Sequence, residues 1–300
     1  TLCGMTRAEI EATFSPELEA LAVKSNATCR QVMDRLTRQY DGYRFTKDEE
    51  FTSMYNPFSV LSALQKRSYG NYWFASGTPT FLVEMLQKTD FDLREMEGIE
   101  VNEASLSDDR ADINNPIPMI YQSGYLTIKD YDERFRMYTL GFPNEEVKYG
   151  FLNFVSPFYT PIAQTDTSFY IGKFIRELES GDVDAFLTRL RCFFAGIPYD
   201  LNDRTERHYQ TVFYLVFQLM GQFTETEVRS ARGRADAVVK TPDYIYVFEF
   251  KLNDSAEAAL RQIDEKGYLL PYQADGRKVV KVGVAFEKEE WNIGEWVIGE

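Results

Sequence analysis

Apolar residues recur at helical spacing through much of the first half of the chain. Across Cys29–Tyr40 they lie four residues apart, on one face of a helix. Thr6 and Glu9 have the spacing of a capping box, so another helix is expected to begin there. Further helices are predicted to open at Ser15-Pro16 and Asn56-Pro57 and to cover Thr80–Lys88.

The middle of the chain has a pattern more typical of strands. Short runs rich in β-branched and aromatic residues follow one another, and the acidic pair Asp132-Glu133 separates the last two. A β-hairpin is therefore expected there. The predicted strands are Ile117–Tyr121, Tyr125–Tyr131 and Phe135–Leu140. Helical patterns then return over Asn144–Ser156, Ser168–Glu179 and Asp182–Phe194.

The last hundred residues predict the order helix, strand, strand, helix, strand. A long apolar helix comes first, and the turn Thr241-Pro242-Asp243 separates the first two strands. The predicted elements are Arg204–Gly221, Ala235–Lys240, Tyr244–Phe250, Ser255–Gly267 and Val279–Phe286. Prolines at 157 and 161 interrupt the earlier pattern, so we place a domain boundary between residues 1–155 and 156–300.

Composition narrows the possible chemistry. The three cysteines are widely spaced and form no CxxC pair, which argues against a zinc ribbon or a disulfide framework and favours a cytoplasmic setting. His208 is the only histidine, so a histidine metal cluster or a HExxH protease is excluded. Neither a signal peptide nor an apolar run long enough to span a membrane is visible, and a membrane role is not expected. Oligomeric state is left open.

The net charge of −14 opposes nonspecific binding to a polyanion. The acidity is uneven, however. Residues 201–300 carry 13 Lys and Arg against 17 Asp and Glu, so their net charge is only −4. Most of the negative charge therefore lies outside the region that carries the most informative motif.

That motif joins Asp236 to Glu249 and Lys251. Side chains two apart in a strand share a face, so Glu249 and Lys251 point the same way while Phe248 and Phe250 point into the opposite layer. A tight hairpin would bring Asp236, 13 residues earlier, opposite Glu249. Two carboxylates suit Mg²⁺, and an ammonium beside them could orient water and offset charge at a phosphodiester. The ordinary alternative is a hairpin with solvated charges at its ends.

This arrangement resembles the D-(x)n-(D/E)xK signature of PD-(D/E)xK nucleases, although Ala235 rather than proline precedes the first acid. The resemblance implies that Asp236, Glu249 and the Phe250 backbone carbonyl bind Mg²⁺ or Mn²⁺ and that Lys251 is catalytic. Many members add a glutamate on an upstream helix and a glutamine on the following helix. Those positions would correspond to Glu206 and Gln262.

A second resemblance covers the earlier part of the chain. Its motifs are similar to the latter part of bacterial AAA-like ATPases, in which a nuclease domain of this type follows the ATPase module. The motifs are Asp41–Phe45, Tyr55–Val60, Tyr72–Phe74 with Gly77-Thr78-Pro79, and Tyr121–Leu126. No GxxxxGK[ST] phosphate loop occurs in the 300 residues, so the nucleotide-binding core is expected upstream of Thr1 and no ATP site is expected here.

Other residues admit both a functional and an ordinary interpretation. Arg229, Arg232 and Arg234 could clamp phosphate or lie in a solvated loop. Lys266, one turn after Gln262, could face the site or solvent. His208 is expected at the surface or the edge of its helix. The aromatic residues of the first domain are expected mainly in the core; they are Tyr43, Phe45, Tyr55, Phe58, Tyr72, Trp73 and Phe74.

The sequence thus predicts a mixed α/β protein in two parts. Residues 1–155 form a mostly helical remnant of an AAA-like ATPase module with a small β element, and residues 156–300 form a restriction-endonuclease-like αββαβ domain. The expected activity is Mg²⁺-dependent hydrolysis of nucleic-acid phosphodiester bonds. DNA is the expected partner, although no pattern in the sequence separates DNA from RNA. The rival prediction is a noncatalytic interaction or regulatory module that keeps the nuclease fold.

Overall fold

A computed structural model describes residues 4–47, 52–74, 82, 85–86, 91–107, 115–160, 163, 166–197, 206–228, 236–287 and 292–299, without the side chains of 107, 206–207 and 227–228. The chain divides into two compact units, Thr1–Phe151 and Leu152–Glu300. Among the described residues, no helix combines the length and the apolar character needed to cross a bilayer.

The first unit begins with a group of packed helices: α1 (Arg7–Thr13), α2 (Ser15–Ser25), α3 (Cys29–Tyr40) and α4 (Pro57–Lys66). Thr6 and Glu9 form the predicted capping box at α1, and Thr28 forms another at α3. The apolar faces of these helices share one core, in which Leu36 and Tyr40 are fully buried. The predicted helix at Thr80–Lys88 lies largely outside the described residues.

The remainder of the first unit contains a small antiparallel sheet with the strand order β1-β3-β2. The elements of this part are β1 (Ile99–Asn102), α5 (Glu103–Ser107), α6 (Ile117–Gln122), β2 (Thr127–Asp132) and β3 (Met137–Gly141). The helix α7 (Glu145–Val155) follows and contains the division between the two units, after Phe151. The predicted hairpin is present, since β2 pairs with β3 across Asp132 and Met137. Strand β1 was not predicted, because its alternation is short and half-polar.

The prediction of a strand at Ile117–Tyr121 is wrong, because this segment forms the helix α6. Pro116 lies before the helix and Pro118 lies in its first turn, where a missing backbone N–H is tolerated. The Asn115 side chain also accepts a hydrogen bond from the Ile117 N–H at 3.3 Å. The prolines therefore outweigh the strand propensity of the isoleucines.

The second unit is built on a mixed sheet in the order β4-β5-β6-β7-β8. Only β6 and β7 pair in parallel within this sheet as described, and the other neighbouring strands are antiparallel. The elements are α8 (Thr167–Glu179), α9 (Val183–Ala195), α10 (Glu206–Met220), β4 (Glu225–Val228), β5 (Ala237–Lys240), β6 (Tyr244–Lys251), α11 (Ala256–Glu265), β7 (Lys278–Glu287) and β8 (Asn292–Gly299).

Helices cover both faces of this sheet. On one face Phe248 of β6 contacts Phe186 of α9 and Phe217 of α10, and the Tyr246 hydroxyl donates to the Leu178 carbonyl of α8 at 2.5 Å. On the other face the β6 residues Ile245 and Val247 pack with Ile263 and Tyr268 from α11 and the residues after it. The alternation of side chains along β6 thus separates an aromatic layer from the layer of α11.

The αββαβ order is present, and the sheet is extended at both edges. Strands β4 and β8 were not predicted, because β4 has only four residues and β8 contains Gly294 and polar residues. Edge strands carry weaker apolar patterns because one side of each faces no partner strand.

Two expectations about burial are corrected. His208 is 5% exposed and its ring contacts Tyr209, because α10 is apolar around most of its circumference and is buried accordingly. Phe45 and Phe58 are 64% and 53% exposed and lie outside the core. Phe58 lies on the outer side of α4, since Ser59, Val60, Ala63 and Leu64 are the buried residues of that helix.

Candidate active site

Asp236 and Glu249 meet where β5 begins and β6 nears its end. Ala237 pairs with Phe248 in the antiparallel ladder, which places Asp236, the residue before β5, across from Glu249. The backbone N–H of Phe250 donates to Asp236 Oδ2 at 2.8 Å. This bond holds the aspartate against the end of β6. The hairpin therefore produces the juxtaposition that the spacing predicted.

Glu249 and Lys251 lie on the α11 face of β6. Lys251 Nζ is 3.5 Å from Glu249 Oε1. Phe250, between them, points the other way, and its ring centroid is 4.1 Å from that of Phe213 in α10. The aromatic layer behind the strand thus fixes the direction of the charged residues in front of it.

Gln262 of α11 joins the two charged groups of β6. Its Nε2 donates to Glu249 Oε1, and its Oε1 accepts from Lys251 Nζ. The amide can satisfy both groups only with its NH₂ toward the carboxylate and its oxygen toward the ammonium. The Tyr268 hydroxyl lies 3.5 Å from the same Nε2. Glu249, Lys251 and Gln262 therefore form one hydrogen-bonded network beside Asp236.

The position of α11 depends on a close approach to β7. Ser255 caps the helix by accepting from the Ala258 N–H at 3.2 Å. Gly283 of β7 pairs with Glu249 of β6 in the parallel ladder. A Cβ at Gly283 would lie 2.2 Å from the Ala256 carbonyl oxygen and 2.8 Å from the Leu260 nitrogen. Only glycine leaves room for α11 at this point of the sheet.

Burial perturbs both acids. Desolvation raises the pKa of Asp236, while the Phe250 N–H and Lys251 act in the opposite direction. Burial, followed by the neighbouring Asp236 charge, raises the pKa of Glu249 to about 7 against the opposing effect of Lys251. The charge of Asp236 thus disfavours the ionisation of Glu249, and the Lys251 ammonium offsets this effect only in part.

The donor set fits a hard divalent cation. Glu249 is 3% exposed, and its Oε2 is buried without a hydrogen-bond partner in the described part of the chain. A buried carboxylate oxygen without a donor is unfavourable unless a cation satisfies it. The N–H and C=O of a strand residue share one edge, so the Phe250 carbonyl faces the Asp236 side with its N–H. Among the described residues, no group of three or more acidic, histidine or cysteine side chains converges.

The other predicted site residues lie away from this network or outside the described part. Glu206 is the first residue of α10, but its side chain is not among the described parts of the chain. Arg229, Arg232 and Arg234 lie wholly outside the described residues. Lys266 is exposed at the C-cap of α11. The roles of these residues stay predictions.

Sequence reasoning missed Tyr268 and Gly283. Tyr268 follows α11 and carries no motif that marks it. Gly283 lies inside a β-branched strand, and an isolated glycine there is a general sign of close backbone approach. That signal could have indicated where α11 crosses the sheet.

Comparison with known proteins finds a family match over the segment that carries these residues. A family model described as the PD-(D/E)XK nuclease superfamily matches residues 204–296, which contain Asp236, Glu249, Lys251 and Gln262. A curated protein of Azotobacter chroococcum mcd 1, described as "Uncharacterized protein in vnfD 5'region", is 31% identical over 306 residues. The alignment covers 99% of this chain and 56% of that protein, so the chain spans about half the length of its curated relative. No solved structure matches the chain.

Proposed function

We propose, from the PD-(D/E)XK nuclease superfamily domain at residues 204–296, that the chain hydrolyses nucleic-acid phosphodiester bonds with a divalent cation. The observation that carries this proposal is that Glu249 and Lys251 meet at Gln262 while the Phe250 N–H holds Asp236 against the same end of β6. The buried, unpartnered Glu249 Oε2 adds a reason for a cation at that position.

Asp236, Glu249 and the Phe250 carbonyl would hold the cation, for which Mg²⁺ or Mn²⁺ suits the oxygen donors. Glu206 is a further proposed ligand, from its place at the start of α10. When bound, the cation would supply Lewis-acid polarisation of the phosphodiester. The Phe250 N–H keeps the Asp236 carboxylate in place through its hydrogen bond.

Lys251 would act on the phosphate itself. Its ammonium is anchored by the Gln262 amide and can offset the negative charge that grows as water adds to phosphorus. The attacking water gives up a proton as its oxygen bonds to phosphorus, the bond from phosphorus to the leaving oxygen breaks, and the leaving oxygen takes up a proton. One water is consumed for each phosphate monoester and hydroxyl produced. Gln262 positions the lysine and does not need to contact the substrate.

The wider setting is also a proposal. The resemblance of the first unit to the latter part of AAA-like ATPases supports a bacterial protein in which the nuclease acts beside an ATPase module, in the cytoplasm and on DNA. Because no GxxxxGK[ST] phosphate loop occurs in these 300 residues, ATP turnover would belong to a segment outside them.

Cleavage assays test the proposal. Plasmid DNA, linear DNA and RNA are incubated with the wild-type chain in Mg²⁺, Mn²⁺ or EDTA. We expect metal-dependent cleavage, reduced by at least about 10²-fold in Asp236→Asn and in Lys251→Met, because the first weakens the proposed metal site and the second removes positive charge from the reacting phosphate. Lys173→Met is the matched control, since this lysine of α8 stacks on Phe169 on the opposite side of the sheet.

No cleavage of any of the three substrates in either metal would refute catalysis by this chain and favour the noncatalytic module. Equal cleavage by wild type and Asp236→Asn would instead place the activity elsewhere.

A further inference from the structure

The first unit contains an open cavity of about 640 Å³ beside α1 and α3. Four residues of its wall, Gln31, Asp34, Arg35 and Arg38, recur three or four apart and form the polar stripe of α3. The opposite side of α3 is buried in the helical core, so the helix is held rigidly behind the cavity. The wall is completed by residues that include Arg7 and Tyr69.

The cavity carries an excess of positive charge, with three guanidinium groups and one carboxylate. Arg7 is already engaged, at 2.9 Å from Glu11 and 3.4 Å from Asp34. Arg35 lies over the Tyr69 ring at 3.9 Å from its centroid. Among the described residues, no carboxylate lies within ion-pair distance of Arg35 or Arg38. Two guanidinium groups are therefore available to an anion.

This excess is unusual for so acidic a chain. Residues 1–70 contain nine Lys and Arg and nine Asp and Glu, so the whole net charge of −14 lies in residues 71–300. The cavity thus lies in the part of the chain that repels a polyanion least. Its volume is within the usual range for sites that bind ligands of nucleotide size.

We propose that this cavity binds a nucleic-acid strand, with Arg35 and Arg38 on its phosphates and Tyr69 beside its bases. The choice of ligand class rests on the proposed nuclease function. Guanidinium forks match phosphate oxygens, and an aromatic ring that also supports an arginine is typical of single-strand binding surfaces. The cavity would then be a second nucleic-acid contact, separate from the catalytic residues.

Binding can be measured without cleavage. The full chain carrying Lys251→Met is titrated in EDTA against a short fluorescent single-stranded oligonucleotide, followed by anisotropy between about 50 and 200 mM salt. In that background, Arg35→Gln with Arg38→Gln removes the two guanidinium groups of the cavity that have no carboxylate within ion-pair distance among the described residues. Arg30→Gln is the control, because it removes an exposed charge from the same helix outside the cavity. Thermal melting establishes that each variant is folded.

We expect the double variant to bind about tenfold more weakly or worse, and its salt slope to fall by about 1.4, the value for two phosphate contacts on a single strand. Arg30→Gln should change affinity less than about twofold. Equal losses in the two variants, or none in either, would overturn the proposal. So would displacement of the oligonucleotide by polyglutamate as readily as by unlabelled oligonucleotide, which would indicate a site for acidic peptides. Because no step requires catalysis, failure of the nuclease proposal would appear separately, in the cleavage assay.

Discussion

Glu249 has the most unusual environment of the residues at the site. It is buried, faces a second acid, and shares one oxygen with both Gln262 and Lys251. Gln262 and Lys251 both contact Oε1, whereas Oε2 has no hydrogen-bond donor in the described part of the chain. A buried carboxylate in this position is costly to ionise without a cation, and this cost predicts how the metal-free protein should respond to pH.

Glu249→Gln tests this electrostatic cost. The pKa of Glu249 is raised from 4.5 to about 7, so its contribution to stability is complete below pH 4.5 and is lost as the pH rises through 7. Relative to wild type in EDTA, the variant should therefore gain stability across that window, by about 3 kcal/mol at most. Urea unfolding from pH 4.5 to 8 measures the difference. A gap that does not change with pH would show that Glu249 titrates normally.

Much of the residue-level site could be predicted from sequence. The period of two along a strand decides that Glu249 and Lys251 share a face, and a short hairpin leaves little freedom in where Asp236 lies. The bridging geometry of Gln262 could not be predicted, because it depends on how closely α11 approaches the sheet. Residue spacing along the chain carries no information on that distance.

At the scale of elements, the crossing of α11 over β7 is the feature on which the site depends. Gly283 lies directly under the helix, and its ladder partner is Glu249. The helix reaches Glu249 and Lys251 through Gln262. A displacement of α11 away from the sheet should therefore disturb the network without touching any charged group.

Gly283→Ala should produce that displacement. The new Cβ would meet backbone atoms of α11, so we expect a loss of about 1–3 kcal/mol in unfolding free energy together with weaker cleavage. Gly276→Ala is the control, since a Cβ there meets no atom within 4 Å. Chemical denaturation and the cleavage assay provide the two measurements. If Gly283→Ala is as stable and as active as Gly276→Ala, the close approach of α11 to β7 is needed neither for stability nor for cleavage.

The elements that sequence reasoning missed have physical reasons in common. The segment of α6 was predicted as a strand from the β propensity of its isoleucines, but Pro116 before the helix and Pro118 in its first turn favour the helical start. The edge strand β8 is half-polar and gives little periodic signal. Long amphipathic helices such as α3 and buried strands such as β6 were predicted closely, because their patterns depend on burial that the fold provides.

At the scale of the whole molecule, the net charge and the chemistry of the candidate site favour different functions. A charge of −14 disfavours a polyanion as substrate, while the second unit brings together the groups to which we assign phosphodiester hydrolysis. The basic cavity of the first unit would ease this conflict locally. The noncatalytic alternative predicts that the site neither binds a metal ion nor cleaves nucleic acid.

Metal titration separates the two possibilities. Because the cation would bind only the folded chain, Mg²⁺ or Mn²⁺ at a hundredfold excess over Kd should stabilise the wild-type protein by about 2.7 kcal/mol. The melting temperature should rise accordingly, and Asp236→Ala should abolish the rise. Ca²⁺-free buffers and an EDTA reversal control for contaminating ions. A melting temperature that changes with neither metal would support the noncatalytic module.

The most direct measurement is a crystal structure of the wild-type chain soaked in Mn²⁺, with anomalous scattering used to locate the ion. We predict one strong anomalous peak bonded to carboxylate oxygens of both Asp236 and Glu249, with Lys251 and Gln262 beside it. A structure in which the manganese binds elsewhere, or in which Asp236 and Glu249 point apart, would contradict the proposed metal site and the nuclease activity that depends on it.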